Sequence, residues 1–207
     1  MVDCDVNRKG FASLPVQCAM KYILTILTIF FIENLLAAQT RTDTLSVRLE
    51  LERIFDRDQK TRATGDSVAF MGLIDSTNQV RVKAIIQKYG WPGISFVGKK
   101  ANQAVFLVIQ HSPLVVMMEF IEPFRKSVAA GESRAADLAL MEDRIRMRMG
   151  KPQIYGSQVR TNKISGLDEF YPIEDEIHVN ERRKKIGLEP LEEYAKRFGM
   201  TYELPKK

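Results

Sequence analysis

The chain has 207 residues, 45% of them hydrophobic and 28% charged, with a formal charge of +5. That apolar content supports a real core, and the length beyond the N-terminal segment suits one domain. The basic surplus is mild, and its densest runs, "RIRMRM" and "ERRKK", sit among acids on predicted helices. They therefore read as solvated helix faces, which argues against the concentrated patch of a nucleic-acid binder.

The start of the chain sets the expected compartment. Residues 1–19 show no usable periodicity. Lys21 then follows Met20, an apolar run extends from Tyr22 to Ile32, and small residues arrive at Ala37 and Ala38. These are the charged, hydrophobic and cleavage regions of a secretory signal peptide. The run is too short, and too soon interrupted by Glu33 and Asn34, to span a hydrocarbon core of ~30 Å. The expectation is therefore an upstream extension outside the native protein over 1–19, translation from Met20, a signal peptide over 20–38 and a mature chain beginning near Gln39. A periplasmic or secreted protein follows, with no stable membrane span after cleavage; an uncleaved amphipathic anchor is the alternative. Cys4 and Cys18 both precede Met20, so the mature chain would need no disulfide and could offer no thiol nucleophile. Deleting 1–38 removes three basic residues (Arg8, Lys9, Lys21) and three acidic ones (Asp3, Asp5, Glu33), so the charge of +5 stays with the remainder.

The elements that follow are mainly helical. Thr42 to about Arg62 reads as a first helix, with Leu51, Ile54 and Phe55 at helical spacing. "TGDSVAFMG" reads as a loop, and Asp75 to Tyr89 as a second helix stopped by Gly90, where a left-handed cap is cheap. "GWPGISFVG" is a structured loop, since Pro92 forbids helix continuation. A third helix spans Lys99 to His111. Pro113 opens a fourth that fades before Gly131, and Ser133 caps a fifth, apolar on two sides and so central, that stops at Gly150. "QIYGSQVRT" and "LDEFYPI" read as two strands around "NKISG". Asn180 starts a short basic helix ending at Gly187, and Pro190 opens the last one. The predicted fold is mainly α: a single helical domain over 42–207, of six or seven helices, with a small β-hairpin near the C-terminal third.

Ionisable residues on apolar stripes are the anomaly. Asp58 and Arg62 continue the stripe of Leu51, Ile54 and Phe55, and a buried carboxylate must find a partner. A local pair four residues apart would satisfy it. His111 ends the buried face formed by Ala104, Leu107 and Val108. It either caps the last carbonyls or serves proton transfer, for which its ordinary pKa is suited. Asp143 lies among Ala136, Ala139, Leu140 and Met147, to be held by Arg144, by Arg62 or by His111. His178, in "EDEIHVNE", receives no role. Three helices each turning one ionisable group inward predict a shared polar pocket, and a structural salt-bridge network would give the same pattern.

The order "DQKTR", "YGWPG", "QH", "DR", "QIYGSQ" and "RRKKIGL" resembles a bacterial family catalogued as domain of unknown function 6624, from about Leu45 to Tyr194. The resemblance implies positions rather than an activity. Its recurrent residues fall on Asp58, Gln59 and Arg62, on Gly90, Trp91 and Pro92, on Gln110 and His111, on Asp143 and Arg144, and on Gln153, Tyr155, Gly156 and Gln158. Ser157 stands where the family has threonine, and Ser112 and Pro113 where it has alanine and an acid. In a strand, Gln153, Tyr155 and Ser157 would share one face, with Tyr155 or Gln158 reaching toward Asp143 or His111; alternatively both glutamines satisfy buried carbonyls.

Two functions are compatible with this pattern. One is an exported domain binding a small molecule or a protein partner, with Asp58, Gln59, Trp91, Gln110, Arg144, Gln153, Tyr155 and Gln158 as ligand contacts. The other is an exported hydrolase or lyase with His111 as general acid or base, Asp143 orienting it and Arg62 or Gln158 stabilising developing negative charge. No dinucleotide or phosphate loop and no nucleophile elbow is present. No cofactor is expected, and one histidine with two aspartates has no diagnostic metal spacing.

Overall fold

A computed structural model describes residues 16–64 and 68–205. Most of the expected upstream extension, and residues 65–67 of the loop expected over 64–72, lie outside the described residues. The chain divides into two compact units, Met1–Ser46 and Val47–Lys207.

The first helix, α1 (Val16–Thr64), begins well before Thr42. In the first unit its large apolar side chains between Met20 and Leu35 face solvent, Phe30 at 64% and Phe31 at 69% exposure. No helix among the described residues is long and apolar enough to cross a membrane.

In the second unit α1 buries Val47, Leu51, Ile54 and Asp58, a spacing that keeps one stripe inward. α2 (Val68–Tyr89) starts seven residues before the expected Asp75 and carries Gly72 inside it, a cost of only ~1 kcal/mol relative to alanine. Gly90 ends it at φ +73°. The "GWPG" segment then leads into a short extra helix, α3 (Ile94–Val97), followed by α4 (Lys99–His111), α5 (Leu114–Ala129) and α6 (Ala135–Arg148).

The central helix is α4, not α6. It packs on α2, α3, α5 and α6, and Ala101, Ala104, Val105, Phe106, Val108 and Ile109 are all buried. The alternation of small and large residues lets four neighbours approach. Trp91 is core as well: it is 8% exposed and stacks on Phe124 at 4.1 Å. Ser133 does not cap α6, whose N-cap is Arg134 without a side-chain cap bond. Its hydroxyl instead joins Asn102 and Ser127, and the Asn102 amide also donates to the Pro92 carbonyl, pinning the "GWPG" loop to α4.

The hairpin is smaller than expected: β1 (Val159–Thr161) pairs antiparallel with β2 (Asp168–Phe170), Val159 opposite Phe170. Residues 153–158 are a loop rather than a strand, touching the sheet only through a parallel bridge between Gln153 and Ile173. A 3-10 turn, Glu176–His178, leads into α7 (Val179–Lys185), and α8 (Leu191–Lys196) follows. The architecture is the expected mainly α one, with a two-stranded sheet in the C-terminal third.

Candidate functional site

Loop 153–158 takes its shape from charges on both sides. Asp143, on α6, is fully buried and accepts from the backbone N–H groups of Ile154 at 2.7 Å, Tyr155 at 3.0 Å and Ser157 at 2.9 Å. The aspartate expected to pair with Arg144, Arg62 or His111 is thus committed to main-chain donors. Such bonds to a charged acceptor are among the stronger ones in proteins. From the other side Arg182 donates to the Ile154 carbonyl and Arg183 to the Tyr155 carbonyl. Arg183 is 1% exposed and lies 4.9 Å from the Tyr194 ring, so "ERRKK" is not wholly a solvated face.

Gln153 closes the loop. Its amide donates to the Gln158 and Tyr171 carbonyls and accepts from the Gln158 N–H, as a strand partner would. Gly156 adopts φ +69°, and a Cβ there would meet Ile173 Cδ1 at 2.8 Å and Leu191 Cδ1 at 3.0 Å. The loop therefore presents Gln158 to α6, where its Oε1 accepts from Arg144 Nε at 2.9 Å.

Arg144 is the centre of the site. Nη1 donates to the Gln110 carbonyl at 3.3 Å and lies 3.4 Å from His111 Nδ1. Its three partners are neutral, and no carboxylate among the described residues pairs with it. Burial, then the like charges of Arg148 and Arg62, push its pKa down, yet a guanidinium stays protonated in proteins. Arg62 differs. It bonds to Asp58 on α1 and, at 2.8 Å, to Asp75 on α2. Burial opposes its charge, but those bonds and charges outweigh burial and raise its pKa.

His111 sits between these arginines. Burial first, then the charges of Arg62 and Arg144, lower its pKa from 6.5 to about 4, against a smaller opposing effect of Asp58. The ring is neutral at neutral pH. Because a guanidinium cannot accept a hydrogen bond, Nδ1 facing Arg144 must be the acceptor, which places the proton on Nε2. His111 is therefore a donor at its free nitrogen, not a base there. The charges acting on it are those of Arg62, Arg144 and Arg148 against that of Asp58, three positive to one negative, while Asp75 pairs with Arg62.

Of the expected contacts, the structure brings Asp58, Arg62, Gln110, His111, Arg144 and Gln158 together through these bonds and fields. Gln59 is exposed beside Asp58. Gln153 and Asp143 shape the loop, Tyr155 contributes its backbone there, and Trp91 belongs to the core. Sequence reasoning missed Asp75, Arg148 and Asn78. Asn78 is 1% exposed with neither amide atom bonded, and the Gln110 Oε1 is likewise buried without a donor. A polar side chain one turn from Asp75 on an apolar face was the available signal. Among the described residues no grouping of three or more His, Cys, Asp or Glu could hold a metal ion.

No curated protein and no solved structure matches the chain. A family model does, described as a family of unknown function (DUF6624), over residues 42–207. The chain therefore belongs to that family.

Proposed function

We propose that this is an exported domain that binds a small ligand where α1, α4, α6 and loop 153–158 meet, at Arg62, His111, Arg144 and Gln158. One observation carries the reading: Arg144 is a largely buried cation whose partners are all neutral. Burying a charge without a counter-charge costs several kcal/mol, and no carboxylate charge supports Arg144, whereas Arg62 is paired with Asp58 and Asp75 and the buried Arg183 lies in the field of Glu189 and Asp143. Export is supported by the signal-like order of Lys21, the apolar run Tyr22–Ile32 and Ala37–Ala38. The hydrolase or lyase alternative draws less support, because Asp143 is held by backbone amides and His111 presents a proton rather than a lone pair at Nε2.

A thermal-shift screen of small metabolites against the wild type and His111→Ala tests the binding reading. The expected result is equal melting temperatures without ligand and a ligand response lost in the variant. A large drop in the variant's melting temperature, with responses to the same compounds retained, would assign the cluster to stability instead. Mass spectrometry of the N-terminus from the native host tests export, and a peptide beginning at Val2 would end that idea.

A further inference from the structure

Resting on that reading, we infer that the ligand is a small oxyanion, a carboxylate or a phosphate, held by the Arg144 guanidinium and the Nε2 proton of His111. Both groups point to the same chemistry. Arg144 uses Nε and Nη1 on protein acceptors, while Nη2 takes no partner among the described residues and is not sealed in the interior. His111 must carry its proton on Nε2, and that N–H has no acceptor among the described residues. Two unfilled donor groups beside an uncompensated positive charge fit an atom that only accepts and is negatively charged. A cationic or amine ligand would meet Arg62, Arg144 and Arg148 with like charge.

Access and geometry are consistent with a small molecule. The Arg62 side chain is 29% exposed, so the cluster reaches solvent beside the Asp58–Arg62–Asp75 triad, whose bonds hold Arg62 in place. Gln110, next to His111, keeps its Oε1 buried without a donor.

The test uses the chain from Gln39 onward together with the full chain, acetate, gluconate, inorganic phosphate and neutral glucose, with ionic strength held constant by sodium chloride. Gluconate or phosphate at ten times its Kd should raise the melting temperature by about 4 °C. Arg144→Gln should lose that shift, whereas Lys151→Ala, outside the cluster, should keep it. Phosphate added to the wild type should also move the His111 ring resonance and leave that of His178 in place, a readout that does not depend on a variant folding. A response to glucose as large as that to gluconate would overturn the oxyanion assignment and leave ligand binding intact. Equal anion responses in wild type and Arg144→Gln, or no movement of the His111 signal, would overturn it too.

Discussion

Arg144 Nη1 lies 3.4 Å from His111 Nδ1, and this contact between a permanent donor and a titratable acceptor controls the behaviour of the site. Protonating Nδ1 would set two positive groups against each other at that distance.

A pH dependence follows. The ordinary pKa is 6.5 and the folded value is about 4, so between those limits the unfolded chain binds a proton at this ring and the folded chain does not. Stability must therefore fall as pH drops through that window. At roughly 1.4 kcal/mol per pH unit the loss is at most ~3 kcal/mol. The groups acting on the ring are Asp58 and Arg62 from α1 and Arg144 and Arg148 from α6. Urea unfolding at several pH values should show His111→Gln losing less stability than the wild type between pH 6.5 and 4; parallel profiles would refute the burial of a neutral ring.

The three N–H bonds to Asp143 predict a large effect from a change of one atom. Asp143→Asn keeps the shape but replaces one acceptor by a donor facing Ser157 or Tyr155. A loss of ~3 kcal/mol is expected, the scale of a charge-assisted bond with its partner left buried. Hydrogen exchange at the amides of Ile154, Tyr155 and Ser157 should accelerate in the variant. Unchanged protection at all three would show that the carboxylate does not hold the loop.

The two acids on Arg62 should differ in weight. The Asp58 side chain is 2% exposed and that of Asp75 33% exposed. Asp58→Asn is expected to cost ~2 kcal/mol, because it unbalances a buried pair. Asp75→Asn is expected to cost under ~1 kcal/mol, the range of solvated ion pairs. Chemical denaturation of both variants decides it, and equal losses would contradict the difference in burial.

Gly156 and Gly166 form a matched comparison. Both have positive φ, but a Cβ at Gly166 meets nothing within 4 Å. Gly156→Ala should lose the left-handed penalty of ~1 kcal/mol plus the clash with Ile173 and Leu191, together ~3 kcal/mol, and Gly166→Ala only the first part. Melting temperatures of the pair give the difference directly.

Asn78→Leu should leave stability unchanged or raise it by ~1 kcal/mol, since removing an unbonded buried amide removes a desolvation penalty. Circular-dichroism melts report the sign. A clear destabilisation would mean that the amide is bonded in solution.

The helical spacing and the punctuating residues made α4, α5, α6 and the last two helices legible, because Gly90, Pro113, Gly150 and Pro190 act locally on the backbone. The extent of α1 and α2 was less legible: Gly72 is a weak breaker, costing only ~1 kcal/mol against alanine inside a helix. Trp91 was misplaced because glycine and proline around it signal a loop, while its area favours the core against Phe124. For the site, the inward placement of Asp58, His111 and Asp143 was readable from their stripes. What held Asp143 was not, since backbone amides leave no mark in the side-chain pattern. The same applies to Arg183, whose partners are the carbonyls of Glu189 and Tyr155.

The two-sided grip on residues 153–158 makes the C-terminal third a keystone. A chain ending at Gly150 would strand the Asp143 carboxylate in the interior without its donors and deprive Arg144 of Gln158. The helices before that point are thus not a self-sufficient module. Their polar centre is completed by residues that the ribosome makes only after them.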